Sequence, residues 1–185
     1  AITNHTFIEL EYTGRLIDGK VFDTTNLKIA QLNGIFNPKI KYQNMIICVG
    51  EHQVLPGFDD DLPGKEVGQI YKVNISSEKA FGKRDIKRVK IVPAQTFKEN
   101  KMNPYPGLQV DIDGELGVIN SIASGRVIVN FNHPLAGQEV IYEYKIVKIV
   151  DDLKEKVINY INRIMRIPVE LIKTTVSGTA VLIEL

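Results

Sequence analysis

Three consecutive aspartates, Asp59, Asp60 and Asp61, stand in the stretch VLPGFDDDLPG (54–64), between two Pro-Gly pairs. Paired carboxylates can run acid–base hydrolysis, but that chemistry needs two acids on separate elements facing one cleft. Consecutive residues on one helical turn point in different directions. Pro56-Gly57 and Pro63-Gly64 open and close one or two turns of helix, since proline cannot continue a helix. The aspartates then fall on the opening turn, where a carboxylate suits the positive end of the dipole and accepts from free N–H groups. The run therefore reads as structural. A carboxylate hydrolase remains a third function class, and its mark would be loss of activity on substitution of Asp59 or Asp60.

The other reactive side chains are sparse. His5, His52 and His133 lie far apart with no ligand-type spacing, so a metal site is not expected. Cys48, the single cysteine, lies in the apolar run MIICVG (45–50) and reads as a buried small apolar residue. One cysteine allows no internal disulfide and fits a reducing compartment. The basic stretch Lys83–Lys90 is interrupted by Asp85 and has no interleaved aromatics, so it reads as a solvated linker. The 23 basic and 22 acidic residues leave a net charge of +1, which points to neither nucleic acid nor acidic lipid. No apolar run reaches the roughly 20 residues needed to cross a membrane. The opening AITNHTFIELEYTG is unlike a signal peptide, so a cytoplasmic location is expected.

What remains are aromatic and apolar residues beside turns, and the elements that must position them. HTFIELEYT (5–13) and KVFDTT (20–25) read as strands joined at Asp18-Gly19, a hairpin over 6–24. Residues 25–44 carry a Gly and a Pro without sustained periodicity, the profile of a functional flap or of short hidden structure. MIICVG and VGQIYKVNIS (67–76) read as strands on either side of the short helix. After AFG (80–82), turns at Asp113-Gly114 and Ser124-Gly125 separate short extended runs, which predicts a small β-rich module. QEVIYEYKIVKIV (138–150) is the longest strand. Leu153, Val157, Ile161 and Ile164 then repeat at helical spacing up to Pro168, and Ser177-Gly178 marks a final hairpin. A tail this short must pack on the main body or on a second copy.

YTG (12–14), KVFDTT, VLPGFDDDLPG, AFG and NHPLAGQEVIYEYKIVKI (132–149), in this order and spacing, resemble the FKBP family of peptidyl-prolyl cis/trans isomerases. A module inserted after AFG resembles the SlyD-like branch with its insert-in-flap domain, and the tail resembles the long archaeal members. The resemblance implies an α+β fold, an antiparallel sheet wrapped around one short helix. It implies an isomerase domain from 1–84 and 127–150, an inserted chaperone domain at 85–126, and a C-terminal helix and hairpin at 151–185 that could dimerise. By motif position it assigns the pocket to Tyr12, Phe22, Asp23, Val54, Leu55, Phe58, Phe81 and Tyr142. Tyr12 would orient Asp23, and the N–H of Leu55 would meet a substrate carbonyl. Three positions depart from the usual pattern: Phe58 stands where many members carry Trp, Phe81 where Tyr is usual, and Tyr142 where Phe is usual.

The resemblance further implies unfolded or proline-containing polypeptides as partners, FK506-like macrolides as ligands of the same pocket, and no cofactor or metal. X-Pro isomerisation needs none, since its barrier is the loss of amide resonance. A non-catalytic holdase or peptide-binding module on the same fold is the alternative. Isomerisation of a short Xaa-Pro peptide separates the two.

Overall fold

The computed structural model describes all of residues 1–185, and its first strand sets out the rest. In β1 (Phe7–Leu16), Ile8, Leu10 and Tyr12 are buried while Glu9 and Glu11 face away, the alternation of a strand with one wet face. Gly19, at φ 89°, turns the chain into β2 (Val21–Thr24), antiparallel to the far end of β1. The stretch 25–44 does hold hidden structure, because Asn26 accepts from the N–H of Ile29 at 3.1 Å and starts helix α1 (Leu27–Leu32). Beyond α1 the chain clasps itself through the stacked rings of Phe36 and Tyr42. Then follow β3 (Met45–Cys48) on the near end of β1, helix α2 (Pro56–Asp61) and β4 (Ile70–Ile75).

The chain divides into two compact units, residues 1–80 with 138–185, and residues 81–137. The second contains the stretch 85–126 read as an insert. Its strands are β5 (Val89–Pro93), β6 (Gln109–Ile112), β7 (Glu115–Ala123) and β8 (Arg126–Asn130), antiparallel in the order β5-β8-β7-β6. Asp113 and Gly114 both have positive φ, as do Ser124 and Gly125, the backbone of two-residue hairpin turns. Helix α3 (Ala94–Glu99), invisible in the sequence, brings Phe97 onto a core of Val110, Ile119, Val127, Val129 and Phe131. The basic stretch is not a linker. Asp85 accepts from the N–H of Lys87 at 2.8 Å, Ile86–Arg88 form a single 3-10 turn, and Lys90 lies in β5.

Back in the first unit, β9 (Val140–Ile149) runs between β1 and β4, completing a five-stranded antiparallel sheet with β2 and β3 on the other edge of β1. Val140, Tyr142, Tyr144 and Ile146 face inward from it, and α2 packs against β4 on this side. Gly57 permits the approach, since a Cβ there would lie 2.5 Å from Cγ2 of Ile75. This is the α+β arrangement that the motifs implied. Helix α4 (Leu153–Met165), capped by Asp152, packs on β3 and on the hairpin of β10 (Lys173–Ser177) and β11 (Ala180–Glu184). No helix is long and apolar enough to cross a membrane.

Candidate functional site

The site grows from Phe58. Leu55 precedes α2 in extended backbone and Pro56 takes the first helical position, so the helix turns Phe58 and Asp59 inward. Phe58, 1% exposed, stacks on Tyr142 at 4.7 Å and meets the ring of Tyr12 edge-on at 5.6 Å. Phe22 closes against Tyr142 at 5.8 Å, again edge to face. These are preferred aromatic geometries, each worth about 0.5–1.5 kcal/mol beyond area burial. A side chain on Gly14 would break the group, since its Cβ would stand 2.8 Å from Cζ of Phe22 and 2.9 Å from Cζ of Tyr142. The hydroxyls of Thr13 and Thr24 meet at 2.9 Å and pin β2, which carries Phe22 and Asp23, onto β1.

Asp23 is the one carboxylate in this ring cluster. Tyr142 donates to its Oδ2 at 3.5 Å, and the Tyr12 hydroxyl also hydrogen-bonds it. Tyr12 lies 3.9 Å from the sulfur of Met45 as well. Burial raises the Asp23 carboxyl above its ordinary range, against these hydrogen bonds and one to Thr24, which favour the charged form. Burial first, then the charge of Asp23, push both tyrosine hydroxyls up. They remain donors at any physiological pH.

The sequence-derived residues fall in both compact units. Tyr12, Phe22, Asp23, Phe58 and Tyr142 converge. Val54 and Leu55 are half-buried at the mouth of α2. The carbonyl of Leu55 accepts from Phe58 and Asp59, both at 2.9 Å, while its own N–H donates to no protein acceptor. Phe81 belongs to the second unit, where its ring stacks on His133 at 4.6 Å.

The aspartates do not cap the helix as expected. Asp59 is buried and accepts from the N–H groups of Gly50 and His52, at 2.9 and 3.0 Å, in the loop before α2. Asp60 pairs with Lys79 at 2.8 Å, and Asp61 accepts from the Tyr144 hydroxyl at 2.6 Å. Each acid thus fastens α2 to a different neighbour. Tyr144 itself was missed, although YEY places it two residues from Tyr142 on the same face of β9. It tilts under Phe58 at 4.9 Å.

Donor atoms of His5, Cys48 and Glu51 lie within 4.8 Å of one another, and this trio could hold a zinc-type ion. Pairing of β1 with β3 brings these residues together, which their sequence spacing concealed.

The family model described as FKBP-type peptidyl-prolyl cis-trans isomerase matches residues 1–98. One described as FKBP26, IF domain, matches residues 90–135. The chain belongs to the FKBP-type peptidyl-prolyl cis-trans isomerase family. It is 32% identical over 130 residues to the short-type peptidyl-prolyl cis-trans isomerase of Methanocaldococcus jannaschii, covering 70% of this chain and 83% of that protein. A probable FKBP-type 16 kDa isomerase of Pseudomonas fluorescens is 33% identical over 106 residues, covering 55% of this chain and 69% of that protein. The FKBP-type isomerase SlyD of Pasteurella multocida is 26% identical over 150 residues, 79% of this chain and 68% of that protein. This chain is accordingly an isomerase that acts on polypeptides. Its substrate bond, the X-Pro amide, isomerises unaided in tens to hundreds of seconds.

Proposed function

We propose that the isomerase turns the X-Pro bond in the pocket of Tyr12, Phe22, Asp23, Phe58 and Tyr142, with Val54 and Leu55 as its wall. The observation that carries this reading is the convergence of four rings beside an unused N–H at Leu55. A planar amide is more dipolar than its twisted transition state. An apolar aromatic surround disfavours the planar form relative to the twisted one, and the Leu55 N–H holds the carbonyl before proline. An acceleration of about 10³ asks for only about 4 kcal/mol. FK506-like macrolides would enter the same apolar pocket. The test is isomerisation of a short Xaa-Pro peptide by the wild type and by Phe22→Ala. Full activity in the variant would remove the pocket from the mechanism.

The unit 81–137 supplies chaperone activity in this proposal. Ile91 on edge strand β5 and Leu116 on β7 are 62% and 75% exposed, a sheet edge with apolar surface that suits an extended chain. A chain lacking 86–127 should refold a proline-limited protein more slowly while keeping its rate on short peptides. Equal refolding rates would refute a chaperone role for this unit.

The exposed apolar side chains of Leu171, Leu182 and Leu185 support self-association through 151–185. Light scattering that returned a monomer mass at high concentration would refute it. The free thiol of Cys48 supports a cytoplasmic location, and cell fractionation would test that.

A further inference from the structure

Beside the aromatic cluster, within the first unit, lies a cleft that the pocket reading does not use. Its walls are the 39–45 segment, the 51–53 loop and the C-terminal end of α4. A cavity of about 550 Å³ is lined by Lys39, Lys41, Met45, Arg163, Arg166 and others. A neighbouring one of about 910 Å³ shares Lys39, Arg163 and Arg166 and adds His52 and Gln53. Glu170 is the one carboxylate lining the smaller cavity, and Glu51, already paired with His5 at 3.3 Å, the one lining the larger.

The charge here is unbalanced. Lys39, Lys41, Arg163 and Arg166 converge on the two cavities, and none of the four makes an ion pair. Arg163 is half-buried, desolvation lowers its pKa, and no carboxylate lies within ion-pair distance of it. A partly buried guanidinium without an anion is costly, and an incoming carboxylate would relieve it. Gln53 adds a buried Nε2 with no acceptor. Arg166 ends α4 at φ 55°, a left-handed position where glycine is the ordinary choice. The cleft also adjoins the pocket, because Met45 both lines it and touches the Tyr12 hydroxyl.

We propose that this cleft is a subsite for acidic side chains of the client polypeptide, so that the isomerase prefers X-Pro bonds with Asp or Glu a few residues away. An extended chain spans about 3.3–3.6 Å per residue, so a short segment leads from one site to the other. The proposal rests on the pocket reading above.

The test compares two peptides around one Xaa-Pro bond, alike except that one carries Glu-Glu and the other Gln-Gln, three residues from proline. Each pair is made with the acids before or after the proline. The proteins are the full-length wild type and the Lys39→Gln, Arg166→Gln double variant, at low salt and at ~0.3 M salt. For one of the two placements, the wild type should favour the Glu peptide by about three- to tenfold in kcat/KM at low salt, as a few partly screened pairs would give. That preference should vanish in the double variant and shrink at high salt, with the Gln peptide turned over alike throughout. No preference, or one that survives in the variant, overturns the proposal, as does an equal slowing of both peptides. Inorganic phosphate should inhibit the Glu peptide weakly. Tight phosphate binding without a Glu preference would show a small-anion site instead and also overturn it. Failure of the pocket reading looks different, since the Gln peptide would then be indifferent to Phe22→Ala.

Discussion

Gly14→Ala is the smallest change that tests whether the ring cluster is the working pocket. Gly14 is buried on β1 and does not have positive φ, so its backbone accepts alanine and the cost lies in contacts alone. The new carbon would stand 2.8 and 2.9 Å from the Cζ atoms of Phe22 and Tyr142. Carbons rest at about 3.5–4.0 Å, so one ring or both must retreat by about 1 Å. Overpacking of this kind costs about 1–3 kcal/mol, read as a lower denaturation midpoint. Misplacement by about 1 Å can cost up to about 10²-fold in rate, so kcat/KM on a short Xaa-Pro peptide should fall about 10- to 100-fold. Gly19→Ala is the control. Its Cβ meets nothing within 4 Å, but its φ of 89° penalises any side chain. It should lose about 1–2 kcal/mol of stability from backbone strain and keep its rate. A Gly14→Ala protein with full activity, or a Gly19→Ala protein that loses as much, would refute the reasoning.

Two further outcomes follow from the carboxylates. Burial holds the Asp23 pKa above its unfolded value, so the native state binds the proton more tightly, and Asp23 costs stability as pH rises from the unfolded pKa through the raised native one. Asp23→Asn should remove that acidic-range slope from a series of denaturation midpoints, and an unchanged slope would contradict the assignment. Asp59→Ala strands the N–H groups of Gly50 and His52 and should cost about 2–4 kcal/mol, with the peptide rate of the remaining folded protein within threefold of wild type. Loss of turnover without loss of stability would revive the hydrolytic reading of the aspartates.

The legibility of the chain followed the length of its patterns. The hairpin of β1 and β2 was readable because alternation runs over several residues and Asp18-Gly19 allows one turn. Helix α2 was readable from its flanking prolines. By contrast α1 and α3, six residues each, hold too few turns for a period to show. Capping by Asn26 could have revealed the first, but α3 begins at Pro93 with no side-chain cap. Motif positions singled out Tyr12, Phe22, Phe58 and Tyr142, whose rings pack together, and alternation along β9 alone would have added Tyr144. Arg163 could not. Its nearness to Tyr12 depends on how α4 packs on β3, and nothing local to either residue encodes that.

The aspartates join these scales. Isomerisation of an amide offers no proton to move and no nucleophile to form, so a catalyst gains only by fixing a shape before the substrate arrives. A two-turn helix cannot hold a shape alone, since isolated helices shorter than about 12 residues are marginal in water. α2 is instead fastened at three consecutive side chains, by Asp59 to the 50–52 loop, by Asp60 to Lys79 and by Asp61 to Tyr144. Between those ties Phe58 has one place to stand, against Tyr12 and Tyr142. In this arrangement the acids and the ring cluster are one device, in which charge fixes the helix and the helix fixes the ring.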